Sequence, residues 1–436
     1  IMKGNEKVED EIMKGNEKAN STEENVNDMA SESDMCIDDA CDFEEKDKAK
    51  SKKTNKTIRE RTDNKYYVPE GNKEKENEEG DEEEKLEKIK LPKRKYAIIL
   101  GYLGHNYCGN QKNPGVNTVE DVVEKVLYNQ GYISPCNYGV LQKIGWSRAS
   151  RTDKKVSAAM NLIACKLHYY SDRDKDTAIK DLNKELPDDI KIIELLEVSG
   201  AFDAKECTNN REYHYLLPAF CLQPLNLIKK EEKEEKEERE AKEEKEEKEE
   251  KEELTLPCDF KISPEFKEKI QKICSLFRGT RRYHNYTRKV NYNDGSAQRV
   301  IYDVSCDELV EYDGVQYVKF KLIGQSFLYN QIRKMIGMVV QVIRENKSLE
   351  YFEESFANQT VYTPKAPAEG LYLYKIDYSR YNNRKGQKKN KIELNDELYK
   401  KVSDFSDELR YKVHESETKT KIFSEWLEKF DSKEKG

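Results

Sequence analysis

The sequence predicts an α+β fold with helices packed on one face of a sheet. Two observations carry this. Apolar runs of strand length alternate with segments of helical period, in the order strand, helix, strands, helix, strands. A second pattern of the same kind starts after a run of almost pure Lys and Glu at 229–253, so the foldable chain comes in two parts.

Residues 1–92 form a low-complexity tail in which Ile-Met-Lys-Gly-Asn-Glu-Lys occurs at 1–7 and again at 12–18. Such a segment cannot bury enough apolar surface to offset its ordering, so disorder is expected. Residues 93–226 make the first half. Tyr96–Tyr102 reads as a strand led by the basic triplet Lys93-Arg94-Lys95. Thr118 precedes Val119, Val122, Val123, Val126 and Leu127, one face of a helix with an N-cap. Lys143–Arg148 and Asn161–Tyr169 read as strands, Thr177–Leu186 as a helix stopped by Pro187, and Ile190–Val198 and Arg211–Leu217 as strands.

Residues 227–256 read as an insert, a solvated Lys/Glu helix with no apolar face to dock. Residues 257–385 make the second half. A helix begins at Ser263-Pro264, and strands follow at Gln298–Cys306 and Tyr317–Ile323. Ile332, Met335, Ile336, Val339, Val340 and Ile343 mark an amphipathic helix, and Leu371–Tyr378 a closing strand. Residues 386–436 read as a C-terminal helical extension over Leu394–Val413 and Ile422–Phe430.

The overall net charge of −8 argues at first against a nucleic-acid partner. Its distribution reverses that. Residues 1–90 carry net −10 and residues 229–253 net −6, which leaves +8 on the rest. A basic folded part suits a surface that tracks phosphates. The ten cysteines contain no Cys-x-x-Cys pair, which reads as reduced thiols and no zinc site. No apolar run approaches the roughly 20 residues that span a membrane.

One stretch stands out, Gly145-Trp146-Ser147-Arg148-Ala149-Ser150-Arg151-Thr152-Asp153-Lys154-Lys155-Val156-Ser157-Ala158. A lone carboxylate, Asp153, sits among four cations. Taken alone it reads as a turn residue or a surface ion pair. A second Arg-Thr-Asp, at Arg61-Thr62-Asp63, lacks the following Val-Ser-Ala and is taken as chance.

Arg151-Thr152-Asp153-Lys154 with Val156-Ser157-Ala158 resembles the active-site signature of the TruA-type tRNA pseudouridine synthases, in their eukaryotic nuclear branch. Further segments resemble the family in order. They are Tyr107-Cys108-Gly109-Asn110-Gln111, Phe202-Asp203-Ala204-Lys205 with Arg211-Glu212-Tyr213-His214-Tyr215, and Phe277-Arg278-Gly279-Thr280 with His284-Asn285-Tyr286-Thr287. Gly324-Gln325-Ser326-Phe327-Leu328 through Gln331-Ile332-Arg333-Lys334-Met335, and Ala366-Pro367-Ala368-Glu369-Gly370-Leu371, complete the set. The resemblance covers roughly 95 to 385. One departure is Lys155, where the family usually has Gly, a residue used at positive φ or close backbone approach.

The resemblance implies two ferredoxin-like, RRM-like α+β halves sharing a continuous, mostly antiparallel sheet, with the active-site cleft between them. It implies isomerisation of uridine to pseudouridine in tRNA, around the anticodon stem-loop, and in other structured RNA. Asp153 would act at the ribose C1′, with Arg151 and Arg333 keeping it ionised and Tyr213 stacking on the flipped uracil. Arg148, Lys154, Lys155, Arg278, Arg281, Arg282 and Arg288 are the candidate RNA contacts. An isomerisation calls for no cofactor and no metal. The expected state is a monomer, in the nucleus, with the mitochondrion and cytoplasm as alternatives. A catalytically silent tRNA-binding or folding protein on the same fold is the competing reading, and Lys155 is what favours it.

Overall fold

The computed structural model describes residues 91–170, 174–227, 260–384 and 390–432, all within one unit from Asn55 to Gly436. The tail with Arg61-Thr62-Asp63, and the Lys/Glu insert from 228 onward, lie outside the described residues.

The first part contains β1 (Lys93–Tyr102), α1 (Val119–Asn129), β2 (Ser147–Arg148), β3 (Ser157–His168), α2 (Lys175–Glu185), β4 (Ile190–Glu197) and β5 (Asn210–Pro218). The second contains α3 (Pro264–Ser275), β6 (Gly279–Arg282), β7 (Gln298–Tyr312), β8 (Val315–Gly324), α4 (Gln331–Arg344), α5 (Leu349–Glu354) and β9 (Leu371–Asp377). Then come α6 (Ser379–Asn382), α7 (Asp396–Thr420) and α8 (Ile422–Ser432). The expected cap is in place, with Thr118 accepting from the Asp121 N–H, and Ser263 likewise caps α3, accepting from the Phe266 N–H ahead of Pro264.

Among the described residues one nine-stranded sheet runs β4-β1-β3-β9-β5-β8-β7-β6, with β2 also on β3. Within it, β4-β1-β3-β2 and β9-β5-β8-β7 each have the strand order of a ferredoxin-like βαββαβ unit. The two units meet where β9 pairs parallel with β3, Ser157 opposite Tyr372 and Ala158 opposite Leu373. All other neighbouring strands are antiparallel.

This topology assigns β5 differently from the sequence. The boundary at 226 follows the change in composition, which marks where the chain stops packing. The hydrogen bonds mark another point. β5 pairs with β8 and β9, so it is the first strand of the second unit. The insert therefore interrupts the connection from β5 to α3.

Three local expectations also change. Lys143–Arg148 is not one strand: a 3-10 turn occupies Leu141–Ile144, Gly145 turns left-handed at φ 60°, and only Ser147–Arg148 pairs. β3 begins at Ser157, not Asn161, so the Asp153 loop runs straight into the sheet. β7 continues to Tyr312 and turns to β8 through Asp313-Gly314, both at positive φ, a hairpin turn the Asp-Gly pair encodes.

Helices cover both sheet faces, contrary to the one-face expectation. Tyr213 and His214 are neighbours on β5 and so point to opposite faces. Tyr213 lines a cleft, whereas His214 meets the Tyr372 hydroxyl, which in turn accepts from Ser406 of α7. Leu398, Val402, Phe405, Leu409 and Val413 form the buried stripe of α7. The unbroken buried run Ala97-Ile98-Ile99-Leu100 on β1 is the pattern of a strand covered on both sides. Gly101 gives Phe405 its seat, since a Cβ there would lie 2.7 Å from the ring.

α7 is thus part of the core. Phe405→Ala should destabilise the protein by about 3–5 kcal/mol. The exposed Glu408→Ala should stay within about 0.5 kcal/mol. Urea unfolding of the two variants beside wild type checks this.

Candidate active site

The Asp153 loop leaves the sheet between the two strands that share one edge of β3. β2 pairs near its far end, at Ile163 and Ala164, and β9 at its start. Ala149 N–H donates to the Leu162 carbonyl at 2.9 Å, the last sheet-like bond before the loop.

Buried polar groups then fix the backbone on both sides of Asp153. The Ser150 carbonyl accepts from Asn110 Nδ2 at 2.8 Å and from Asn161 Nδ2 at 3.1 Å. Thr152 N–H donates to Asn110 Oδ1 at 2.8 Å. The Thr152 and Tyr102 hydroxyls lie 2.8 Å apart, and Asn161 also donates to Tyr102. A satisfied buried network of this kind holds a single geometry.

The loop closes in a tight turn. Val156 N–H donates to the Asp153 carbonyl at 3.1 Å, and Lys155 N–H to the Tyr107 carbonyl at 3.1 Å. Lys155 sits at φ 66°, the left-handed region that favours glycine. The backbone geometry expected of glycine is present, with lysine adopting it. Its ammonium reaches Glu369 at 3.1 Å. Gly109, at φ 88°, lies against the same loop, and a Cβ there would be 2.8 Å from the Thr152 carbonyl.

β5 supplies the adjoining wall. The Arg211 guanidinium donates to the Ala149 carbonyl at 2.8 Å through Nη2 and to the Gln325 carbonyl at 2.7 Å through Nη1. One side chain thus ties the Asp153 loop to the loop ahead of α4. The Tyr213 hydroxyl lies 2.7 Å from Ser150 Oγ, and its ring meets Phe327 edge-on at 5.3 Å. Burial raises the pKa of the Tyr213 phenol against the opposing effects of Ser150 and Arg211, and the Asp153 charge adds a smaller push upward.

Together these walls enclose a cleft of about 600 Å³. Arg148 to Asp153, Lys205, Arg211 and Tyr213 line one side, with Arg299 and Ser326 to Ile332 on the other. Asp153, Arg151, Tyr213 and Arg148 are therefore brought together. Arg333 stands one residue beyond the cleft-lining Ile332, 8% exposed, with its Nε donating to the Ala366 carbonyl at 2.7 Å.

The candidate RNA contacts separate. Arg148 is held in a two-pronged pair by the fully buried Glu120, with Nη2 at 2.8 Å, so its charge is already matched. Lys154 stays in the Asp153 loop. Arg288 stacks over the Tyr329 ring at the rim of the cleft, 5.6 Å from its centroid. Arg278, Arg281 and Arg282 lie in or next to β6 at the outer edge of the sheet, three strands from β5. There Arg278 pairs with Asp303, Arg281 with Glu353, and Arg282 lies over Tyr292. In sheet order these three lie outside the residues that line the cleft, in or beside the strand next to the cleft-lining Arg299 of β7.

Three cleft residues escaped the sequence reading. Arg211 lies inside a recognised motif. Arg299 and Asn330 carry no local signal. Next to Asn330, burial and the neighbouring charges of Arg288 and Lys365 push Lys334 down to about 8. Among the described residues no cluster of three or more His, Cys, Asp or Glu is placed to hold a metal, and no helix is long and apolar enough to cross a membrane.

The two turn positions make opposite predictions. Lys155→Gly exchanges relief of about 1–2 kcal/mol of left-handed strain for about 0.5–1 kcal/mol of extra chain entropy, so stability should hold or rise. Gly109→Ala adds strain and a backbone clash and should lose about 1–3 kcal/mol. Denaturant midpoints of the two variants measure both.

Comparison with known proteins bears on the same residues. Residues 273–379, which include β7, β8, α4 and β9, match the family model described as tRNA pseudouridine synthase. The pseudouridylate synthase 1 homolog of Mus musculus is 31% identical over 301 residues, spanning 68% of this chain and 64% of the relative. The tRNA pseudouridine synthase 1 of Saccharomyces cerevisiae is 29% identical over 347 residues, spanning 68% of this chain and 63% of the relative. The chain therefore covers a little under two thirds of these curated relatives. The matched segment carries the second wall of the cleft, and the likeness to the relatives spans about two thirds of the chain. The chain is thus similar to the tRNA pseudouridine synthases, by their family model over residues 273–379 and by their curated relatives over about two thirds of its length.

Proposed function

We propose that the protein isomerises uridines of tRNA, around the anticodon stem-loop and in other structured RNA, to pseudouridine. One observation carries this: Asp153 stands in a loop fixed by buried hydrogen bonds, at the seam of the two units, beside Arg151 and Tyr213. The names of its relatives support tRNA as the substrate.

In this reading the uridine leaves its stack and enters the cleft. The N1–C1′ bond breaks and the ribose gains oxocarbenium character. Asp153 answers that charge by electrostatic stabilisation, by covalent attack, or by taking a proton from the sugar. The base turns, C5 bonds to C1′, the C5 proton leaves and N1 gains one, so the atoms balance without a redox step. Arg151 holds the carboxylate ionised from its own loop, and Arg333 does so from α4. Tyr213 is a neutral stacking surface, since burial keeps its phenol protonated.

The competing reading, a silent RNA-binding protein, rested on Lys155. The left-handed turn at Lys155 removes the reason to doubt the loop. We place the protein in the nucleus as a monomer. The basic triplet Lys93-Arg94-Lys95 does not argue for this, because it lies within β1, where Lys95 is buried and Arg94 pairs with Glu197. Imaging of a tagged protein tests the compartment.

Asp153→Ala should abolish product while leaving tRNA affinity within a few-fold, because phosphate contacts dominate binding. Product near the wild-type level would remove Asp153 from its role. Arg333→Lys keeps the charge but loses the planar fork, and should lower turnover much more than affinity. Arg333→Ala removes a cation and should raise the Asp153 pKa. The acid limb of the pH–rate profile would then move to higher pH, since the ionised form is the active one. An unchanged profile with uniformly weaker tRNA binding would make Arg333 a phosphate contact instead.

A further inference from the structure

The cleft contains a cation whose charge no carboxylate among the described residues answers. Arg299 lies on β7, facing the cleft opposite the Asp153 loop. Its Nε is buried and has no hydrogen-bond partner. Nη1 donates at 2.7 Å to the carbonyl of its own neighbour, Gln298, a bond that supplies no negative charge.

Its surroundings make this worse. In the β6–β7 register Arg299 stands directly across from Arg281, so two guanidiniums share one cross-strand position. Like charges in that relation repel. Arg281 is relieved by Glu353 at 2.7 Å. Among the described residues no carboxylate does the same for Arg299. Burial alone, with no acidic group opposing it, lowers its pKa. The buried Arg344 shows how this chain treats such a side chain when folding alone matters: it has a carboxylate, Asp431.

A second orphan lies on the same wall. Asn330 is 3% exposed, lines the cleft, and neither atom of its side-chain amide has a partner. It precedes α4 at φ 58° without capping the helix. Unsatisfied buried groups are rare in a finished site and commonly mark a missing ligand.

We propose that Arg299 is the phosphate-binding residue of the cleft, taking a backbone phosphate of the RNA strand that carries the target uridine. The inference rests on the proposed RNA substrate and adds the group that the second unit offers to it. Asp153 meets the ribose from the first unit. Arg299 holds the adjoining phosphate from the second, and the Asn330 amide is left for the neighbouring nucleotide. A guanidinium suits this position because its planar fork binds two phosphate oxygens at once.

The test uses the full chain and a tRNA anticodon stem-loop, with affinity measured over a range of salt. Arg299→Gln should melt at the wild-type temperature or higher, because it removes an unmatched charge. It should bind the RNA about tenfold more weakly at low salt. Its log affinity should fall less steeply with log salt, by about one unit of slope. Arg299→Lys should recover part of the affinity. Neutral methylphosphonate linkages placed singly around the target uridine should bring wild type down to the variant's affinity at one linkage and leave the variant unchanged there. Wild-type affinity and salt slope in Arg299→Gln would overturn the proposal. So would a lowered melting temperature with an affinity loss that lysine does not recover. Binding is read without turnover. A wild-type protein that bound this RNA but made no pseudouridine would sink the proposed function and leave the phosphate result standing.

Discussion

β9 is hydrogen-bonded to β3 on one side and to β5 on the other, and the site depends on that double pairing. The β3 contact is short, two residue pairs in parallel. The β5 contact is longer and antiparallel. Without it the two ferredoxin-like units would be separate sheets, and the Asp153 loop would face solvent. With it, the loop that leaves the edge of β3 lands beside Tyr213 and Arg211 of β5. The Arg211 guanidinium then clamps carbonyls from both loops, so the cleft width is set by one rigid planar group.

Within the cleft, rigidity and charge are handled by different residues. Neutral amides and hydroxyls, from Asn110, Asn161, Tyr102 and Thr152, fix the backbone. They do so without altering the net charge around Asp153. The arginines carry the charge. Some are cancelled at once, as Arg148 is by Glu120. Among the described residues Arg299 is left unmatched, and an unmatched charge in a half-dry cleft is a standing attraction for an anion. The division makes sense for a site that must stay in shape while a polyanion enters and leaves.

Much of the fold was legible in the residues. Amphipathic periods marked α1, α3 and α4, Thr118 marked a cap and Ser263-Pro264 a helix start, apolar runs marked β1, β4 and β5, and alternation marked β9. These are local effects, in which each residue's neighbours within a few positions decide its state. Cover on both faces of β1 was also encoded, in Ala97-Ile98-Ile99-Leu100, but nothing local said that α7 would provide it. The place of Arg278, Arg281 and Arg282 was not legible, because it is sheet order that sets them three strands from β5.

By itself, then, the sequence determined the elements, the Asp153 loop and the family likeness, since motif chemistry and periodicity are properties of short segments. Tertiary structure decided the rest. It moved β5 into the second unit, because strand partnership depends on hydrogen bonds to residues more than a hundred positions away. It showed that Lys155 takes a left-handed turn, because φ is set by the closure of the loop and the lysine must follow. It also separated matched arginines from the unmatched Arg299, because the charge of a side chain is written in the sequence while its partner is chosen by packing.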